Sequence, residues 1–184
     1  AYRILPIENP QPQADFVDTE TMFTNLMEKF QFRELDNPSV YYTEDYRNFV
    51  LNHRSSFNTL AAALLNEGKT EKARKSLLYM LERMPDAAVP FDYTASRTVA
   101  LLYMVDENDR AREIAETIGD RAIAMINYIQ NGGRDSGFEL QKNIIILNEL
   151  QRTMLMNGED ELAEKFTNGY NQGMQIYEGN RQNL

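Results

Sequence analysis

The chain has 184 residues, 42% of them apolar and 26% charged, which predicts a globular domain with its own core and excludes a disordered chain. Its net charge of −9 argues against nucleic acid as a partner, because few cations are available to neutralise phosphates. The absence of cysteine excludes disulfides, thiolate nucleophiles and zinc–thiolate centres, and the longest apolar run, Val99–Val105, is too short to cross a bilayer.

Residues 1–17 carry half of the prolines of the chain, which predicts a linker or surface arm without regular helix. Because the chain does not begin with Met, we expect it to be part of a longer protein. Beyond the arm, residues 18–184 are predicted to form a single helical-repeat domain. Its first, short helix is predicted to be capped by Asp18 or Thr19, and its apolar stripe runs at helical spacing as far as Phe30.

The best-defined segment is a helical hairpin near residues 44–85. Its first helix is predicted to end at Gly68, where a positive φ costs glycine little, and Pro85 stops its second helix. Two small residues, Ala61 and Ala73, would let the two helices approach closely. With Pro85 as the closing proline, the spacing of bulky, small and turn residues matches a tetratricopeptide repeat. The positions that carry this match are Phe57, Leu60, Ala61, Gly68, Ala73 and Pro85.

The turn signature of this hairpin, G-x-x-x-x-A, is found again at two later places. Asp106–Ala111 matches with aspartate in place of glycine, and Gly158–Ala163 matches directly. The sequence therefore predicts three hairpins, near residues 44–85, 92–131 and 138–178. The steps between successive turns are longer than the ~34 residues of an ideal tetratricopeptide repeat. We accordingly predict an all-α fold, an irregular tetratricopeptide-like array of about seven or eight helices without a sheet.

The chain shows no recognisable catalytic, cofactor or metal motif. The glycine-rich stretch that follows Asn131 lacks the lysine of a phosphate-binding loop, and His53 is the only histidine. Clusters of acidic residues fall at predicted helix starts, where the helix dipole explains them. We therefore predict no catalytic residue, no cofactor and no metal in this chain.

In an array of hairpins, the first helix of each pair lines a concave face, which we predict to be the binding surface. The repeat register brings Asn58, Tyr93 and Arg97 together on adjacent helices. An amide, a phenol and a guanidinium suit an extended peptide backbone, a carboxylate or a sugar hydroxyl. The full set of candidate binding residues is Asn58, Tyr93, Ser96, Arg97 and Tyr103. The alternative is that Arg97 pairs with a nearby acid such as Asp92 and that Asn58 caps a loop.

Several phrases of the sequence indicate a family. The opening YRILPI, the stretch VDTETMFTNLMEKF and the segment from YYTEDYRNFVLNHRSSF to MPDAAVPFDY closely resemble the C-terminal region of a bacterial membrane-protein family that is labelled as a domain of unknown function. The resemblance covers residues 2–118 well and is weaker from Gly119 onward. The N-terminal part of that family is similar to protein O-mannosyltransferases and related glycosyltransferases that use lipid-linked sugars.

The resemblance implies that this chain is the soluble tail of a membrane glycosyltransferase-like protein. It also implies that the tail faces the extracytoplasmic, periplasmic side and that the catalytic acids lie in the membrane part. We expect the tail to be a non-catalytic interaction module for a protein or peptide partner, which reaches the membrane only through the missing N-terminal segment. The alternative is a glycan-binding or glycan-active domain in its own right, with acids such as Asp92 and tyrosines such as Tyr93 lining a cleft. The module is favoured because no paired-acid motif is visible. The sequence leaves the oligomeric state open.

Overall fold

The structure is a computed structural model that describes residues 16–135 and 138–182, with side chains described as far as Gly179. The described residues form seven α-helices and contain no strand. The prediction of an all-α fold is therefore confirmed, while the predicted arm falls almost entirely outside the described residues. The helices are α1 (Thr19–Thr24, continued by a π-helical turn at Asn25–Lys29), α2 (Glu44–Asn66), α3 (Thr70–Arg83), α4 (Thr94–Tyr103), α5 (Asn108–Gln130), α6 (Glu139–Met156) and α7 (Asp160–Gln182).

The helices pack as three successive hairpins, α2–α3, α4–α5 and α6–α7. The first helices of the hairpins lie side by side, with α2 against α4 and α4 against α6. The second helices α5 and α7 pack against each other, and α5 also packs against α6, the first helix of the third hairpin. The short helix α1 lies on α2 at the start of the array. One continuous apolar core runs through all three hairpins, from Leu26 to Phe166.

The three turns inside the hairpins share one geometry. Gly68, Asp106 and Gly158 have φ values of 73°, 62° and 75°. In each turn the next residue donates its N–H to the carbonyl five positions earlier, which is the Schellman arrangement. These hydrogen bonds are Lys69 to Leu64 at 2.8 Å, Glu107 to Leu102 at 2.9 Å and Glu159 to Met154 at 3.0 Å. The predicted positive φ of Gly68, and the replacement of glycine by Asp106 in the second turn, are both confirmed.

The left-handed turn at Gly68 gives the first testable prediction. We expect Gly68→Val to lower the free energy of unfolding by about 1–2 kcal/mol, and Gly68→Asn to lower it by less, because asparagine tolerates positive φ far better than a β-branched residue. A Cβ built on Gly68 meets no described atom within 4 Å, so the difference reports backbone strain and not crowding. Urea unfolding of both variants measures it. Equal losses would contradict the prediction.

The second helices approach their neighbours closely at small residues. The alanines five positions after each turn, Ala73, Ala111 and Ala163, are at most 1% exposed. A Cβ built on Gly119 of α5 would overlap the ring of Phe166 on α7. Cβ atoms built on positions 169 and 173 of α7 would lie 2.8 and 2.7 Å from isoleucine side chains of α5 and α6. Glycine is therefore required for this close packing, although it weakens a helix interior.

The apolar stripe predicted for the first helix ends earlier than expected. The chain widens into a π-helical turn at Asn25–Lys29, which is closed by a hydrogen bond from the N–H of Phe30 to the carbonyl of Asn25 at 2.8 Å. Leu26 is 3% exposed, but Phe30 is 49% exposed. The extra residue in this turn rotates the side chains that follow it, so Phe30 leaves the buried face.

Candidate functional site

A buried guanidinium joins α2 to the loop that follows α3. Arg54 is 1% exposed. Its Nη2 donates to the carbonyls of Met84 at 2.9 Å and Val89 at 2.6 Å, and its Nη1 donates to the carbonyl of Pro90 at 3.1 Å. We call this arrangement the Arg54 clamp. It fixes the loop between the first two hairpins to the middle of α2.

The Arg54 clamp also holds one acidic and one aromatic side chain. Asp92 Oδ2 lies 3.7 Å from Arg54 Nη1, and the guanidinium carbon lies 4.8 Å from the centre of the Phe91 ring. Burial lowers the pKa of Arg54 to about 10, against the opposing effects of Asp92 and Asp86. The side chain therefore stays protonated at neutral pH. Carbonyls, a carboxylate and an aromatic face compensate for the loss of water around this cation.

Asn58, a predicted groove residue, is buried between two helices. It is 2% exposed. Its Nδ2 donates to the carbonyl of Thr94 at 3.1 Å, and its Oδ1 accepts from the hydroxyl of Thr98 at 3.0 Å. Both ends of the amide are thus used in joining α2 to α4. Asn58 neither caps a loop nor presents its amide to a partner.

Two further candidates join α4 to the third hairpin. Ser96 is 2% exposed, and its Oγ lies within hydrogen-bond distance of the Tyr93 carbonyl, at 2.8 Å, and of the Glu149 carboxylate on α6. Tyr103 is 8% exposed, and its hydroxyl donates to Glu159 Oε1 at 3.4 Å. Burial, together with the nearby Glu159 carboxylate, raises the pKa of Tyr103 to about 12. Both side chains therefore act as contacts between helices.

The remaining two candidates, Tyr93 and Arg97, are exposed. Tyr93 is 54% exposed, and Arg97 makes no hydrogen bond or ion pair with another residue in the described part of the chain. Asp92, the acid considered as a partner for Arg97, is engaged by Arg54 and accepts the N–H of Thr94 at 2.7 Å. The five candidates thus divide into three buried contacts between helices and two side chains that face solvent.

The residues predicted to define the repeat lie in the first hairpin. Phe57, Leu60, Ala61 and Ala73 are each 0% exposed. Gly68 is the left-handed residue of the turn, and residue 85 follows the end of α3. The bulky and small positions of the pattern therefore supply the core between α2 and α3.

A set of ion pairs between successive hairpins was not predicted. Arg74 of α3 donates to the carbonyl of Val105 in the second turn at 2.8 Å and lies 3.8 Å from Glu107 Oε1. Arg112 of α5 lies 2.6 Å from Glu159 Oε1, directly after the third turn. Each arginine immediately follows the buried alanine of its hairpin, so the repeated Ala-Arg dipeptide was the available sequence signal.

The first turn is held from α1 in the corresponding way. Lys69, at the position equivalent to the two glutamates, lies 2.8 Å from Glu20 Oε1. The hydroxyl of Thr19 also donates to the carboxylate of Glu67, with a shortest distance of 2.9 Å. We call the pairs Glu20–Lys69, Arg74–Glu107 and Arg112–Glu159 the turn ladder. Each turn is therefore joined to the helix that precedes its hairpin.

A surface cleft of about 350 Å³ opens between the loop after α3 and α5. Its lining includes Phe91, Arg110 and Glu113, and none of the five candidate binding residues. At its edge, Asp86 and Arg121 form two hydrogen bonds of 2.6 Å each. The cleft is therefore separate from the exposed side of α4.

Within residues 16–135 and 138–182, no group of three or more histidine, cysteine, aspartate or glutamate side chains could hold a metal ion. None of the helices described is both long enough and apolar enough to cross a membrane. Comparison of the chain with protein-family models, with curated proteins and with solved structures yields no match. The tetratricopeptide assignment and the membrane-protein resemblance stay predictions.

Proposed function

We propose that this chain is a non-catalytic helical-repeat module that binds a protein or peptide partner through the exposed side of α4. The observation that carries the proposal is a contrast along this one helix. Ser96, Thr98 and Tyr103 are buried and join α4 to its neighbours, whereas Tyr93 and Arg97 are exposed one turn apart on one face. A helix held by both neighbouring hairpins presents these two side chains with little loss of conformational entropy on binding.

The chemistry of the two exposed side chains suits a segment that carries a carboxylate. The guanidinium of Arg97 can donate two parallel hydrogen bonds to a carboxylate, and the ring of Tyr93 adds a large contact area beside it. Arginine and tyrosine are enriched among the residues that dominate protein–protein binding. Directly after the last residue of α4, Met104 is 60% exposed and extends the surface with an adaptable apolar side chain.

The wider context is part of the same proposal. We propose that the hairpins are of the tetratricopeptide type, and that the module is the extracytoplasmic tail of a membrane glycosyltransferase-like protein, where it binds an acceptor protein. The sequence phrases that carry the resemblance include NHR, at residues 52–54, and MPDAAVPFDY, at residues 84–93. These two phrases are the partners in the Arg54 clamp, which supports reading them as one structural unit.

Photo-crosslinking in the full-length protein tests the surface. A crosslinking residue placed at Tyr93 or at Arg97 is expected to capture a discrete protein adduct. The same residue at Glu116, which is exposed on α5, serves as the control and should capture none. Equal labelling from all three positions, or labelling only from position 116, would contradict the proposal.

Binding measurements with the captured partner separate a contact surface from scaffold. We expect Arg97→Ala to weaken binding about tenfold or more with an unchanged melting temperature. Arg110→Ala, an exposed arginine on α5, should leave the affinity unchanged. Specific binding or turnover on a glycan array would instead support the alternative of a glycan-binding or glycan-active domain.

A further inference from the structure

The helix α6 has an exposed face with a coiled-coil spacing. Ile145, Glu149, Arg152 and Met156 follow one another at steps of four, three and four residues. All four are exposed, with Ile145 at 55% and Met156 at 86%. Alternating steps of three and four residues place side chains in one seam along a helix. We call these four residues the α6 seam. One of these side chains also reaches a neighbouring helix, because Glu149 Oε2 lies within hydrogen-bond distance of Ser96 Oγ on α4, while the Glu149 side chain stays exposed overall.

We propose that the α6 seam binds the α6 seam of a second copy of this chain. The two helices run antiparallel about a two-fold axis between positions 150 and 151. Glu149 then lies opposite the partner's Arg152, and Ile145 lies opposite the partner's Met156. Because the axis repeats each contact, the interface has two ion pairs at its centre and one apolar contact at each end. Such self-complementarity is what a two-fold interface requires.

The charges of the seam select this register over its neighbours. A parallel pair would place Glu149 against the partner's Glu149 and Arg152 against the partner's Arg152. An antiparallel pair shifted by one heptad would place Lys142 opposite the partner's Arg152, and the opposite shift would place Arg152 opposite the partner's Met156. Each of these arrangements brings like charges together or loses the ion pairs, which disfavours it.

The seam spans about three helical turns, so the interface is at the small end of specific contacts. We therefore infer a concentration-dependent monomer–dimer equilibrium and not an obligate dimer. The inference goes beyond the proposed function and does not depend on it, because Tyr93 and Arg97 lie outside the seam. A dimer would also carry two copies of the α4 surface, which raises the avidity for a partner with repeated segments.

Sedimentation over a concentration series, with paired charge reversals, tests the dimer. The mass of the wild-type chain is expected to rise from 21.3 kDa towards twice that value. Glu149→Arg and Arg152→Glu should each weaken self-association about tenfold or more, since each creates two like-charge contacts. An equimolar mixture of these two variants should associate again, because it restores opposite charges at both central contacts.

The mixture also controls for folding, since only folded variants could associate with each other. Glu164→Arg on the exposed side of α7 makes the same charge change outside the seam and should leave self-association unchanged. Three results would each overturn the proposal. They are a wild-type chain that stays monomeric up to about 1 mM, single reversals that associate like the wild type, and a mixture that associates no better than its components.

Discussion

Arg54→Ala is expected to lower the free energy of unfolding by about 3–5 kcal/mol, one of the largest losses expected for a single substitution in this protein. The change removes the guanidinium that donates the three hydrogen bonds of the Arg54 clamp. It leaves the carbonyls of Met84, Val89 and Pro90 without that donor and the carboxylate of Asp92 without its counter-charge. A buried polar group that loses its partner costs more than the hydrogen bond itself is worth.

Urea unfolding followed by circular dichroism measures this loss. Arg54→Lys is expected to recover only part of the stability, because an ammonium is a compact charge that cannot match the planar fork reaching several carbonyls. Arg97→Ala is the matched control, an exposed arginine whose removal should change stability by no more than about 0.5 kcal/mol. If Arg54→Ala cost no more than this control, the clamp would not stabilise the fold.

Gly119→Leu is expected to lower the free energy of unfolding by about 3 kcal/mol. The added side chain would enter space occupied by the ring of Phe166, and overpacking of a closely packed core costs about 1–3 kcal/mol or more. Replacing glycine within a helix gains at most about 1 kcal/mol in helix propensity, so overpacking decides the sign.

A double-mutant cycle identifies the cause of that loss. Phe166→Ala alone should cost about 3–5 kcal/mol, because it empties a fully buried site. The combined variant should cost clearly less than the sum of the two single changes, since the leucine can fill the space left by the ring. Thermal unfolding of the four proteins measures the coupling, with Glu116→Leu as an exposed control on the same helix. Strictly additive losses would contradict direct contact between these positions.

The hairpin turns were predictable because their signal is local. A left-handed residue and a small residue five positions later are both constraints on one short segment, as at Gly68 with Ala73. Such constraints can be read without knowing the rest of the fold. They also identified the second turn, where Asp106 replaces glycine and the residue type alone is a weaker signal.

The roles of the buried polar residues were not predictable in this way. A repeat register shows on which side of a helix Asn58 or Ser96 lies, but it does not show how closely the next first helix covers that side. Here α4 covers Asn58, and α6 contacts Ser96. The partners of Arg54 are backbone carbonyls 30 to 36 residues away, and a carbonyl has no signature in the sequence. Tyr93 and Arg97 as contact residues stay a prediction.

We expect the turn ladder to favour assembly of the array in the order of synthesis. In each ion pair of the turn ladder, one residue belongs to the helix that is synthesised before the hairpin of the other. The order is Glu20 before Lys69, Arg74 before Glu107, and Arg112 before Glu159. A hairpin leaving the ribosome therefore meets a preceding helix that already carries the charged partner for its turn. Because each hairpin is local in sequence and contacts mainly its neighbours, growth can proceed one unit at a time from the N-terminus. We therefore expect packing to follow the order of translation, with each new turn meeting its charged partner once its hairpin forms.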